Sequence, residues 1–303
     1  MLCAISAGCL PGLILHKVSV INMNIALALT AAVLFSLQGI FLKYASKGGA
    51  AGNARVAFQY TAVAALIFAP LCIGKPLSAE GIFYGVLFGL VFSATMLVYA
   101  RAVQTGPVTF SAFAMSASLM VPVGYAVLFE HEAATALRIG SFLVLLLAFY
   151  LILGVGGAAA PRPQKSWYVC IFGLFFINGL LSIVNKKAAA HMPAGELSVY
   201  FFTAFLVSAA VNLLLCLRGK QTLRPAGRTM PWVIGVGAVT ALGNLLVAYL
   251  SAKMPSSVLF PIANGASVLF TMLFSALALR EYPSRRALAG LALGILGIVA
   301  LSI

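Results

Sequence analysis

The sequence predicts an all-α integral membrane protein: about ten transmembrane helices, arranged as two inverted five-helix repeats. Three observations carry this. The 303 residues are 63% hydrophobic and only 8% charged, against roughly 45–50% and about 25% in soluble domains. Apolar runs of the length a bilayer demands recur ten times. The second half also reads as a diverged copy of the first, and if each copy holds an odd number of spans the second must enter the bilayer upside down.

Taken in order, residues 1–22 contain a weakly apolar piece, AISAGCLPGLIL, followed rather than preceded by its cation, Lys17. That is the wrong order for a signal peptide. Met23 then opens MNIALALTAAVLFSLQ, a natural start for the first span, so residues 1–22 are expected to be an extension outside the fold, arising from an upstream start codon. Five runs follow, near Asn24 to Tyr44, Ala54 to Ile73, Gly81 to Arg101, Val108 to Phe129 and Thr135 to Val155. They define a first repeat over residues 23–155. The stretch 156–166, GGAAAPRPQKS, is where apolar character lapses, and it is expected to be a linker.

Five more runs lie near Trp167 to Lys187, Leu197 to Leu217, Pro231 to Ser251, Ser256 to Leu279 and Ser284 to Ile303, giving a second repeat over residues 167–303. The connectors carry breakers, among them GKPLSAEG, QTGP, HMPAGE and KMPSS. Gly81, Gly85 and Gly89 stand one turn apart in the third run, and Gly290 and Gly294 in the last. Small residues at this spacing let helices approach closely in lipid, within the chain or, for the last span, across a homodimer seam.

The net charge of +14 comes from 19 Lys and Arg set in short connectors against five glutamates, Glu80, Glu130, Glu132, Glu196 and Glu281. Cations between apolar runs are a topology signal, not a nucleic-acid footprint. The five cysteines are scattered with no CxxC pair, and His16, His131 and His191 fall at or beyond run ends, so no metal site, disulfide framework or cofactor is implied.

The internal match is clearest between YARAVQTGPVTFSAFAMSASLMVPVGYAVLFEHEAATALRIGSFLVLLLAF, from Tyr99, and YLSAKMPSSVLFPIANGASVLFTMLFSALALREYPSRRALAGLALGILGIV, from Tyr249. Glu130 answers Glu281, and Lys43 can be laid on Lys186. Aligning Gln38-Gly39 with Asn178-Gly179 instead requires a three-residue insertion. The pattern over residues 23–303 resembles the EamA-like transporters of the drug/metabolite transporter superfamily. The resemblance implies two fused five-helix repeats around a central cavity, lined by the first, third, fourth, sixth, eighth and ninth helices. It says almost nothing about substrate.

Orientation follows from counting cations. Thirteen lie at loops after odd-numbered spans or their rims and six on the other side, which accounts for all 19. The positive-inside rule then puts both termini outside the cytoplasm; the resemblance implies the reverse. Both readings place the termini on one face.

Polar side chains at mid-membrane depth are default functional candidates. Gln38, Asn178, Asn244 and Asn264 qualify first, since amides donate and accept without charge and suit a neutral or zwitterionic ligand. They can equally glue helices together. Tyr99 and Tyr249 end the third helix of each repeat, as gates or as interfacial anchors. Pro122 and Pro261 each free a backbone carbonyl. Arg101 and Lys253 could reach an anionic substrate or snorkel to headgroups.

The first span of each repeat lacks the mid-helix glutamate with which the small multidrug exporters of the superfamily exchange protons for cationic drugs. The expected function is therefore a secondary transporter or facilitator of a small neutral or zwitterionic metabolite, such as an amino acid, in a cell membrane. An exchanger or flippase for a phosphorylated or lipid-linked sugar is the alternative. A membrane-embedded enzyme is disfavoured, since no Ser–His pair, paired acids or metal ligands stand at depth.

Overall fold

The computed structural model describes residues 10–45, 53–105, 114–115, 117–132, 135–153, 165–192, 195–221, 223, 229–279 and 284–301. Among these, every regular element is helical. They are α1 (Leu10–Ala45), α2 (Asn53–Phe68, extended by a 3-10 turn Ala69–Cys72), α3 (Ala79–Thr105), α4 (Met120–Phe129) and α5 (Ala136–Leu153). After the linker, of which 156–164 lies outside the described residues, come α6 (Lys165–His191), α7 (Leu197–Arg218) and α8 (Met230–Ser251). A ninth rod joins α9 (Ser256–Phe260), a π-helical turn (Pro261–Gly265) and α10 (Ala266–Leu279), and α11 (Arg285–Leu301) ends the series.

Among the described residues, six helices are long and apolar enough to cross a bilayer: α1, α2, α3, α6, α7 and α8. The other four rods are shorter apolar helices, and they are the fourth and fifth of each half. The ten runs read from the sequence thus appear as ten rods, with the long and short ones repeating in the same order.

Two local features differ from the plain reading. Helix α1 starts at Leu10, well upstream of the span that begins at Asn22. Pro11 falls in its first turn, where a missing N–H costs no helical hydrogen bond, and nothing downstream interrupts the helix. At 36 residues it is about 54 Å long, so its upstream part projects past a hydrocarbon core of about 30 Å. The fourth run is broken at a turn over Ser118 and Leu119. Pro122 therefore lies in the first turn of α4 instead of kinking a continuous helix, and the carbonyl it frees, that of Ser118, accepts the Val121 N–H at 3.0 Å.

The packing repeats as the rods do. Helix α1 packs on α8 and α6 on α3; α3 packs on α7 and α8 on α2; α4 packs on α6 and the π turn and α10 on α1. Exchanging the halves turns each pair into the other, while α2 with α7 and α5 with α11 map onto themselves. This is the pairing two five-helix units give when a two-fold axis relates them. The glycines serve it directly. A Cβ on Gly85 of α3 would stand 2.8 Å from the Tyr200 carbonyl of α7, and one on Gly237 of α8 would stand 2.8 Å from the Tyr60 carbonyl of α2. Gly294 of α11 likewise has room only for hydrogen beside Leu269 and close to Ala148, so this part of the last helix's small-residue stripe packs within the chain.

Two apolar clusters result. In one, Phe68, Phe88, Phe92, Phe201 and Phe205 stack where α2, α3 and α7 meet. In the other, α1 packs through Ala28, Ala31 and Ala32 against Val247 and Leu250 of α8 and against α9, the π turn and α10. Travelling the ten rods in turn returns the chain to the side from which it started. The side carrying the start of α1 and the end of α11 is called here the terminal face.

Candidate functional site

Besides a buried hydroxyl pair between α3 and α7, Ser93 and Ser208 at 2.9 Å, the amides Gln38, Asn178 and Asn244 gather at two nodes among the described residues. The first joins α1 to α8. Gln38 donates its Nε2–H to Thr240 Oγ1 at 2.7 Å, and Asn244, one turn on, donates to the Thr240 carbonyl at 2.8 Å. Thr240 is fully buried and stands at the middle of α8, which fixes the depth of Gln38 beside it. Close approach makes this contact possible: Gly235 and Gly243 of α8 lie under the rings of Phe41 and Phe35 of α1.

The second node joins α6 to the segment before α4. Asn178 donates from Nδ2 to Ser118 Oγ at 2.6 Å and to the Met115 carbonyl at 3.3 Å. Asn178 is the central residue of the 27-residue helix α6, about 20 Å from either end. Its neighbour Gly179 is buried against Val121 of α4, where any Cβ would overlap the valine. Gly39, by contrast, faces open space. Gln38 and Asn178 also meet helices that the internal symmetry does not exchange, so the two amides are not counterparts.

Asn264 sits half-buried in the π turn that Pro261 begins, and its carbonyl accepts the Ser267 hydroxyl at 2.6 Å. Its side-chain amide has no hydrogen-bond partner among the described residues. Tyr99 is half-buried at the far part of α3. Tyr249 is 38% exposed and accepts a hydrogen bond from Lys253, whose ammonium lies 3.9 Å from the centre of the same ring. Tyr249 and Lys253 therefore form one surface pair at the end of α8. Among the described residues no hydrogen bond links the two amide nodes or joins Asn264, Tyr99 or Tyr249 to either.

Sequence reasoning missed Thr240 and Ser118, the hydroxyls that complete the nodes. Each looks like an ordinary small polar residue in an apolar run, and only its partner, 202 positions away for Thr240 and 60 for Ser118, gives it meaning. It also missed an ionic cluster one level out. Lys186 bonds both Glu130 and Glu132, the latter at 2.7 Å, and Lys187 lies 3.2 Å from Glu130. Glu132 further accepts the Ser256 and Ser257 N–H groups at 2.8 and 3.1 Å and the Ser257 hydroxyl at 3.0 Å. Partial burial alone would raise both carboxyls, but bonds from Lys186, from Lys187 to Glu130, and from the two serine amides to Glu132 outweigh it and hold both below the ordinary carboxylate value.

Ten apolar rods in two interlocked sets, with uncharged polar nodes at mid-depth, define a polytopic membrane protein of the transporter class. The comparisons agree: the EamA-like transporter family model, a domain of the drug/metabolite transporter superfamily, matches residues 165–303. A solved structure titled only as the crystal structure of a protein aligns over 93% of this chain and 98% of its own, with a TM-score of 0.73 at 17% identity. At that identity the likeness speaks for the fold alone. No curated protein matches the sequence.

Proposed function

We propose that this transporter is a secondary carrier or facilitator for a small neutral or zwitterionic metabolite, such as an amino acid, working by alternating access about the two amide nodes. The observation that carries the reading is the chemistry at mid-depth. Gln38, Thr240 and Asn244 on one side and Asn178 and Ser118 on the other offer donors and acceptors without net charge. A neutral or zwitterionic solute can exchange its water for such groups, whereas a bare ion would lack a counter-charge. Asn264 adds an unengaged amide at a π turn, an irregularity tolerated at depth where it borders protein or a cavity. On this reading residues 23–155 and 167–303 are the two functional repeats.

The phosphorylated-sugar alternative needs cations directed inward. Lys253 is exposed and engaged with Tyr249, while Lys186 and Lys187 are held by glutamates, so their positions favour the uncharged substrate class. The cation count favours a cytoplasmic location for the face opposite the termini in a cell membrane.

The test is counterflow of radiolabelled amino acids in proteoliposomes. Asn178→Ala, Asn244→Ala and Asn264→Ala are each expected to lower flux at least about tenfold, the ratio of roughly one good hydrogen bond to substrate. Flux unaltered in all three overturns the site.

A further inference from the structure

The ionic cluster is not part of the midplane site, and its geometry ties the two halves of the chain together. Glu130 and Glu132 follow α4, the fourth helix of the first half. Lys186 and Lys187 stand on α6, and Ser256 and Ser257 open α9, in the second half. Every bond in the cluster therefore crosses from one half to the other, and Glu132 alone ties three elements together. Lys186 lies eight residues beyond Asn178 on α6, about 12 Å along the axis, so the cluster sits directly outward of one amide node.

We propose that Glu130, Glu132, Lys186 and Lys187 form the latch that closes the carrier on the terminal face. The proposal rests on the alternating-access reading above but not on the identity of the substrate. Its bonds suit a contact that must part and re-form. The glutamate and Lys186 side chains keep 14–20% exposure, so water replaces each lost bond as the halves separate and the net cost stays small. The second inter-half polar contact on this face, Ser78 donating to Glu196, is built differently. Glu196 is 3% exposed and adjoins the stacked rings of α2, α3 and α7, where parting would uncover a continuous apolar core. That side reads as the fixed edge and the latch side as the moving one.

Helix α9 holds only five residues between Pro255 and the π turn, an irregularity of the kind found at functional sites. The sequence keeps Lys43 and Glu281 at the positions matching Lys186 and Glu130, as a two-fold design with one latch per face requires; their side chains lie outside those described.

The test reads accessibility and needs no substrate. A reporter cysteine replaces Ser182, one turn inward of Lys186 on the same side of α6, in a variant whose native cysteines are replaced. A membrane-impermeant maleimide is applied from the terminal face. Lys186→Gln is expected to speed labelling at least about tenfold, while Lys187→Gln, which releases Glu130 alone, has a smaller effect. In a second arm, Glu132→Cys and Ser256→Cys are bridged by a short bifunctional reagent, and labelling from that face is expected to cease. The latch is overturned if a folded, monodisperse Lys186→Gln labels at the parent rate, or if the bridged protein still labels at the unbridged rate; should Lys186→Gln fail to fold, the bridge decides. Loss of the amino-acid reading leaves these outcomes untouched, and failure here leaves that reading standing.

Discussion

At the scale of single residues, the decisive feature is a hydroxyl whose partner is remote in sequence. Thr240→Val keeps the shape of the side chain but strands the Gln38 amide. The variant is expected to lose about 1 kcal/mol of stability, read as a lower melting temperature in detergent, together with most of its flux. Ser36→Ala is the control, since Ser36 is equally buried but bonds only to the Val33 carbonyl of its own helix at 2.7 Å; both stability and flux should stay near the parent values. The amides Gln38, Asn178, Asn244 and Asn264 could be singled out from sequence because amides are costly in hydrocarbon wherever they stand. Thr240 and Ser118 could not, because a hydroxyl can satisfy itself on its own helix, as Ser36 does, and nothing local separates the two cases. The same limit hid the latch. Glu130 was recognisable as a repeat marker and Lys186 as a rim cation, but their pairing is a fact of tertiary structure.

At the scale of elements, glycines decide which helices can meet. The stripe in α3 was legible as a packing surface from its spacing; that it meets α7 was not, because spacing names a face and not its partner. Gly89→Ala would drive a methyl group into the Ala204 carbonyl of α7. With backbone on both sides it is expected to cost several kcal/mol and to abolish a cooperative melting transition. Gly39→Ala, facing open space on α1, should instead be neutral or stabilise by about 0.5–1 kcal/mol through helix propensity. The break before α4 and the π turn were half legible: Pro122 and Pro261 announced an irregularity, but whether a proline begins, kinks or widens a helix depends on which neighbours take up the freed carbonyl. The latch also carries a pH expectation. Glu130 and Glu132 are held below their ordinary value of 4.5, so their contribution to closure is complete above that value and is lost as pH falls through the lowered ones. The neighbouring groups are Tyr125, whose ring lies 5.3 Å from the Lys187 ammonium, the exposed His131, and Lys253, which is taken up by Tyr249. Labelling of the Ser182→Cys reporter should therefore be flat from pH 8 to 5, after correction for the reagent's own pH dependence, and should rise only under stronger acid.

At the scale of the whole molecule, the charge distribution and the two-fold packing make separate demands. The packing requires only that the chain cross the membrane an even number of times, whichever way round it sits. Orientation is a matter of cations: thirteen stand on the face opposite the termini and six on the terminal face, where four glutamates offset them. Lys and Arg resist translocation whereas Asp and Glu contribute little, so the thirteen-cation face should be cytoplasmic, against the orientation that the resemblance noted in the sequence implies. A reporter that is active only in the cytoplasm, fused after Ile303, is expected to be silent, and its counterpart active only outside should be on; impermeant labelling of Met23→Cys should agree with the latter. If residues 23 and 303 label from opposite faces, the even number of crossings fails, and with it the inverted relation of the halves. If both label from the cytoplasm, the fold stands and only the sign is reversed, which would make the latch a cytoplasmic gate. Neutralising Arg218, Lys220, Arg224 and Arg228, the cations between α7 and α8, should then leave topology unchanged, whereas in the orientation expected here it should yield a mixed population.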